Sequence, residues 1–295
     1  MIHVNVIEVC DSVAVVDDFE KERLMFLGYL RAKGRKETTV RTYSEALKSL
    51  RGTMRTMGLN MDMRTLTADD IIMIKDALTV SETSKKLYMI VLGRFLEVLT
   101  ESNLVKEADI LWNQCEKRRL FIGPQDFKDM MATCNEKERV VMMLGAYMGL
   151  RRCEMCSMRL EDIRGNTVRV RGKGHGEGKM VDVLIPRPVM SAVNAWLDAR
   201  GVQSEYLLCT KNGTRLDTGT IGRIVARVAK RCGVSMTVHS LRRLYATTLY
   251  DVGTDLDTIR RLMRHNSIET LVECYLNANP VKKEVAIESL CQVLA

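Results

Sequence analysis

Apolar residues recur at helical spacing along most of this chain. Beyond a tail over residues 1–16, Phe19, Leu24, Phe26, Leu27 and Leu30 mark an amphipathic helix ending near Gly34. Val40, Tyr43, Ala46, Leu47 and Leu50 share one face of a second helix, closed by Gly58. Thr67, with Asp70 three residues on, is a helix start signal: the hydroxyl can cap the first turn and the acid suits its dipole. That third helix continues through Ile71, Ile74 and Leu78, and a fourth runs from about Ser81 to Thr100. Residues 103–123 are polar and weakly periodic and read as a linker. After Pro124, helices are predicted at about 125–133 and 136–148. Gly149 interrupts, and a helix restarts at Arg151 or Arg152. Two alternating segments, 167–171 and 180–185, form a hairpin around a glycine-rich turn. Helices follow at about 187–199, 218–231, 240–252, 255–264 and 267–276, with a last amphipathic segment at 281–294. The fold class is therefore mainly α with a small β-hairpin.

Composition narrows the class. Of 295 residues, 46% are apolar and 28% charged, enough apolar side chain to build a core. Nine irregularly scattered Cys do not form a disulfide framework. With no leader pattern and no apolar run of membrane length, the sequence predicts a soluble protein of a reducing compartment. Charge is uneven. Residues 1–112 hold 16 Lys+Arg and 17 Asp+Glu; residues 113–295 hold 29 and 20. A basic second part points to a polyanion, most simply nucleic acid, although a solvated basic surface has the same composition.

Several familiar chemistries fail on spacing. Gly178-Lys179 is followed by Met180 and preceded at the required distance by Lys173, so the phosphate-binding loop of nucleotide hydrolases is excluded. Cys153 and Cys156 have metal-ligand spacing but no second pair. No metal or nucleotide cofactor is therefore expected.

Three short patterns remain. Gly149-Leu150-Arg151-Arg152-Cys153-Glu154 places an arginine after a helix break, with an acid three residues on. His239 and Arg242 stand at i and i+3, and Arg264-His265 precedes Tyr275. Together they supply one chemistry. Guanidinium forks match phosphate oxygens, histidines bond a phosphate or move protons, lysine protonates a leaving alkoxide, and tyrosine is a phosphoryl nucleophile. Protein cations can stabilise such a transition state without a metal, and a phosphotyrosyl ester keeps the energy of the broken bond, so ATP is not required.

At these residues the sequence resembles the tyrosine recombinase, or phage integrase, family, in its Xer-like form. Tyr147-Met148-Gly149-Leu150-Arg151-Arg152-Cys153-Glu154-Met155 is similar to the family's TGLRxSEL box, Gly172-Lys173-Gly174 to its hairpin GKG, His239-Ser240-Leu241-Arg242-Arg243 to HxLRH, and Leu262-Met263-Arg264-His265 to LLGH. The resemblance implies catalytic roles for Arg151, Lys173, His239, Arg242, His265 and Tyr275, with Glu154 in support. Lys179 is a rival to Lys173, and Tyr245 and Tyr250 are rivals to Tyr275. Arg264 replaces the family's glycine and Arg243 its histidine, and Tyr275 follows His265 by ten residues where the family has nine. One extra helical residue turns a side chain by about 100°.

The resemblance further implies a tail (1–16), a helical, SAM-like core-binding domain (17–102), a linker (103–123), an α+β catalytic domain (124–280) and a C-terminal helix (281–295) able to exchange between protomers. No larger N-terminal arm-binding domain is expected. The two domains would close as a C-shaped clamp on double-stranded DNA. A homotetramer on paired sites, with accessory proteins in some systems, would exchange strands through a 3′-phosphotyrosine and a Holliday junction, for element integration and excision or chromosome dimer resolution. The location would be the cytoplasm, at the nucleoid. Two alternatives stay open: a nicking and closing enzyme of the type IB topoisomerase kind, and a non-catalytic DNA-binding protein on a decayed recombinase scaffold.

Overall fold

A computed structural model describes residues 18–60, 62–112, 122–171, 180–265 and 267. Contacts divide the chain into two compact units, Met1–Lys117 and Arg118–Ala295.

The first unit is helical: α1 (Asp18–Ala32), α2 (Glu37–Thr56), α3 (Ala68–Ala77), α4 (Glu82–Thr100) and the short α5 (Leu104–Glu107). The apolar stripes of α1, α2 and α4 meet in a core around Phe19, Phe26, Leu47, Leu50 and Phe95. Phe95 stands edge-on to Phe19 with ring centres 5.6 Å apart, and Phe26 lies 5.3 Å from it. The start of α3 is as its sequence predicts. Asp70 N–H donates to Thr67 Oγ1, and Thr67 N–H donates back to the Asp70 carboxylate. The expected linker differs in its first half. Leu104, Val105, Ile110 and Trp112 pack on this core, and α5 folds against α3 and α4.

The second unit contains α6 (Pro124–Ala132), α7 (Glu136–Ala146), α8 (Arg152–Ser157), β1 (Ile163–Arg164), β2 (Thr167–Arg171), β3 (Met180–Leu184), α9 (Arg187–Ala199), α10 (Thr218–Arg231), α11 (Val238–Asp251) and α12 (Leu256–Met263). The strands form one antiparallel sheet in the order β1-β2-β3, with Val168 opposite Val183 and Val170 opposite Val181. Val168 and Val170 alternate into the core, which gives β2 its period of two. β1 was not foreseen, because two residues are too few to show alternation.

Helix α7 is the axis of this unit. Val140 to Gly145 are buried on all sides, because α9, α10 and α11 surround the helix. At Gly145 the missing side chain makes room for Leu241 of α11, since a Cβ would lie 2.7 Å from Leu241 Cδ1. At the other end, buried Glu138 accepts from Arg227 and Arg231, tying α10 to the start of α7. Burial pulls the Glu138 carboxyl upward in pKa. Bonds from Arg231, Asn135 N–H and Arg227 outweigh this and leave it below the ordinary value. Helices α7 and α11 are thus fixed against each other where their ends meet the candidate site. Among the described residues no helix is long and apolar enough to cross a membrane.

Candidate active site

The site begins where α7 stops. Gly149 has φ of +56°, a region that costs a residue with a side chain about 1–2 kcal/mol. There is no room for one either, since a Cβ would stand 2.7 Å from Tyr245 Cδ1 and 3.2 Å from Met263 Sδ. The turn lets Leu150 N–H bond back to Leu144 O and aims Arg151 at the N-cap of α8.

Glu154 sits three residues into α8 with no exposed side-chain surface. Its carboxylate accepts from Arg151 N–H at 2.7 Å, from Arg151 Nη1 at 2.8 Å and from Arg264 Nη2 at 2.9 Å. Burial alone would raise its pKa. The Arg264 charge, the Arg151 N–H and the Arg151 charge more than offset that, so Glu154 stays ionised below the usual carboxylate range.

Arg242, on α11, is 3% exposed. Its Nη1 donates to Gly149 O, and its Nη2 to Met263 O at 3.1 Å and to His265 Nε2 at 3.2 Å. Arg151 Nη2 donates to Arg264 O at 2.9 Å. Both guanidinium groups therefore close on the single turn that follows α12. Because arginine only donates, His265 Nε2 must accept, which places the ring proton on Nδ1. That nitrogen is buried and has no partner among the described residues. Burial, followed by the charges of Arg242, Arg151 and Arg264, pushes the His265 pKa down to about 4. His265 is thus a neutral hydrogen-bonding group near pH 7, not a group that changes charge there.

His239 occupies the first turn of α11, one residue inside a helix that was expected to start at 240. Loss of hydration lowers its pKa first, and the charges of Arg242, Arg152, Arg151 and Arg243 lower it further. Its ring therefore sits within the field of the same cations.

The structure thus brings together Arg151, Glu154, Arg242 and His265, with His239 beside them. Lys173, Lys179 and Tyr275 lie outside the described residues, as do the glycine-rich turn, the segment 1–16, the helix expected at 267–276 beyond its first residue, and the helix expected at 281–294. Of the rival tyrosines, Tyr245 packs at Gly149 and is pushed up in pKa by burial, so it resists becoming a phenolate. Tyr250 packs with Ala246, Ile259 and Met263. Sequence reasoning missed Arg264, which it treated only as a departure from glycine. Its position at the C-cap of a helix leading into a histidine was the available signal.

Two guanidinium groups here share one carboxylate, a third, that of Arg242, closes on the same two turns, and two neutral histidines stand with them. That arrangement is suited to receive an anion with several oxygens, such as a phosphodiester.

Known proteins resemble this chain in sequence and fold. The tyrosine recombinase XerA of Pyrococcus furiosus is 30% identical over 137 residues, 45% of this chain and 48% of that protein. The tyrosine recombinase XerC of Corynebacterium glutamicum is 34% identical over 153 residues, 49% of each. The chain thus spans about half the length of these curated relatives. Among solved structures, a lambda integrase tetramer bound to a Holliday junction superposes with a TM-score of 0.71 at 20% identity, covering 86% of this chain and 76% of that one, which shows a shared fold. A model of the phage integrase family matches residues 121–281, the stretch that holds the whole arginine–histidine cluster. With more than half its length accounted for in this way, the chain belongs to the phage integrase family.

Proposed function

We propose that this protein is a site-specific DNA recombinase that cuts and rejoins DNA through a 3′-phosphotyrosine at Tyr275, without metal or ATP. The observation that carries this reading is the convergence of Arg151 and Arg242 on the turn of Met263, Arg264 and His265, backed by buried Glu154. In the reaction, Tyr275 Oη attacks the phosphorus and the bond to the 5′ oxygen breaks. His239 takes the phenolic proton and Lys173 supplies one to the departing oxygen. Arg151 and Arg242 hold the nonbridging oxygens as charge develops on them, and His265 Nδ1–H donates to one of them. Arg242 is 3% exposed, so the phosphate must displace what covers it, and cleavage is coupled to correct DNA docking. Attack by the 5′ hydroxyl of a second duplex reverses the step and exchanges strands. Two such exchanges on paired sites, by a homotetramer, pass through a Holliday junction. The outcome would be element integration and excision or chromosome dimer resolution, in the compartment that holds the DNA.

The test is to incubate the protein with fragments of its native genome in EDTA, denature, and isolate protein-linked DNA. Adducts are expected, and the Tyr275→Phe protein should form none. Specific binding with no adduct, even on nicked duplexes that trap the intermediate, would support a non-catalytic DNA-binding protein. The ten-residue interval from His265 to Tyr275 is what favours that second reading. Relaxation of supercoiled plasmid without paired sites would favour the topoisomerase-like alternative.

A further inference from the structure

Helix α12 ends in an unusual way. Arg264 lies in the left-handed region, at φ 54° and ψ 46°, where glycine or asparagine is the common residue and a residue with a Cβ costs about 1–2 kcal/mol. The side chain is not a surface cation, because it is 7% exposed and folds back into the unit. Its Nη2 donates to Glu154 Oε2 and to Gly149 O, both at 2.9 Å, and its Nη1 donates to Leu262 O at 2.9 Å. Its own carbonyl accepts from Arg151 Nη2 at 2.9 Å. One residue therefore joins the Gly149 turn, the Glu154 carboxylate, the Arg151 fork and the turn carrying His265. Gly149 O is shared with Arg242, so it links Arg264 to Arg242, while Glu154 and the Arg264 carbonyl link Arg264 to Arg151.

This arrangement has an electrostatic consequence. With Arg151 as its only cationic partner, the buried carboxylate of Glu154 would cancel most of that arginine's charge toward a phosphate. A second cation lets Glu154 orient Arg151 without neutralising it. A glycine at 264 would satisfy the backbone but supply neither the cation nor the tie to Gly149.

We propose that Arg264 is a positioning residue that shares Glu154 with Arg151, keeps Arg151 cationic toward the scissile phosphate and locks the His265 turn against the Gly149 turn. The effect on phosphate chemistry rests on the recombinase reading above, whereas the coupling of Arg264 to Glu154 does not. The charged and titratable groups that act on Glu154 are Arg151 before α8 and Arg264 after α12, with His265 in its field. The cleft that residue 154 lines also holds Arg159, Glu161 and Asp162 after α8, Arg169 and Arg171 of β2, and Tyr206 and Arg215 before α10.

Arg264→Gly is the informative variant, since it fits the backbone and removes only the side chain. Arg264→Lys keeps a charge without the fork. The first measurement needs no DNA: thermal unfolding from pH 4 to pH 8. Without the Arg264 cation the folded pKa of Glu154 rises toward its unfolded value, so Arg264→Gly should lower Tm most near pH 7–8 and flatten the acid loss of Tm, and in a Glu154→Gln background most of that flattening should vanish. Identical acid limbs for Arg264→Gly and the unmodified protein would overturn the coupling. The second measurement is single-turnover adduct formation on nicked duplex carrying the protein's own genomic target. Arg264→Gly should slow the adduct at least tenfold while DNA affinity changes less than twofold, and Arg264→Lys should recover part of the rate. An unchanged rate, or a loss that lies wholly in affinity, would overturn the positioning role. If the unmodified protein forms no adduct, the recombinase reading fails, and with it the role toward phosphate; the unfolding data still decide the link to Glu154.

Discussion

Replacing Gly149 by alanine tests how the site is built. The added methyl meets two separate penalties. The positive φ costs about 1–2 kcal/mol for a residue with a Cβ. The methyl also lands 2.7 Å from Tyr245 Cδ1, 3.0 Å from its Cε1 and 3.2 Å from Met263 Sδ. Forcing atoms into a packed interior costs about 1–3 kcal/mol. Restricting the unfolded chain returns about 0.4–1 kcal/mol. The net loss should be about 1–5 kcal/mol, read as a lower urea midpoint at unchanged slope. In a Tyr245→Ala background the clash with the ring disappears, and the further cost of Gly149→Ala should shrink toward the strain alone. Activity should fall by more than stability does, because Gly149 O anchors both Arg242 and Arg264. Gly145→Ala is the control. It meets Leu241 Cδ1 at 2.7 Å in ordinary helical backbone, so it should destabilise by overpacking without the strain. A Gly149→Ala protein within about 0.5 kcal/mol of the parent, the range of neutral surface changes, would refute the reasoning.

Other consequences are as direct. The His265 pKa, about 4 against an ordinary 6.5, means that the unfolded chain takes up the proton first. Stability is full above pH 6.5 and falls as pH drops toward 4, by at most about 3 kcal/mol from this group; His265→Gln should flatten that part of the Tm–pH curve. His239 and Glu154 are also shifted down, so their contributions have the same sign. Glu138→Ala removes the acceptor shared by Arg227, Arg231 and Asn135 N–H and should cost about 1–3 kcal/mol in urea unfolding. Thr67→Ala removes the α3 cap and should cost about 1 kcal/mol, without affecting the site of the second unit.

What the sequence revealed depended on how local the cause was. The start of α3 was legible because Thr67 caps its own helix, whereas the capping of α10 by Asp217 went unread. The break at Gly149 was legible because glycine after an apolar run ends a helix. The short α5 was missed, since four residues within a polar stretch show no period and only packing on α3 and α4 holds them. Arg151, Glu154, His239, Arg242 and His265 could be named as candidates from motifs, but their electrostatics could not. Neutral His265 depends on Arg242, 23 residues away, and ionised Glu154 depends on Arg264, 110 residues away. Arg264 looked like a defect in a motif because its partners lie on other elements.

The most direct test of the central claim is to identify the amino acid that carries DNA. Protein and genomic target are reacted in EDTA, the adduct is digested with protease and nuclease, and the nucleotide-bearing peptide is sequenced by mass spectrometry. The account predicts a 3′-linked nucleotide on the peptide containing Tyr275, with a 5′ hydroxyl on the freed strand. A nucleotide on Tyr245 or Tyr250, a 5′ linkage, or a reaction abolished by EDTA would contradict it.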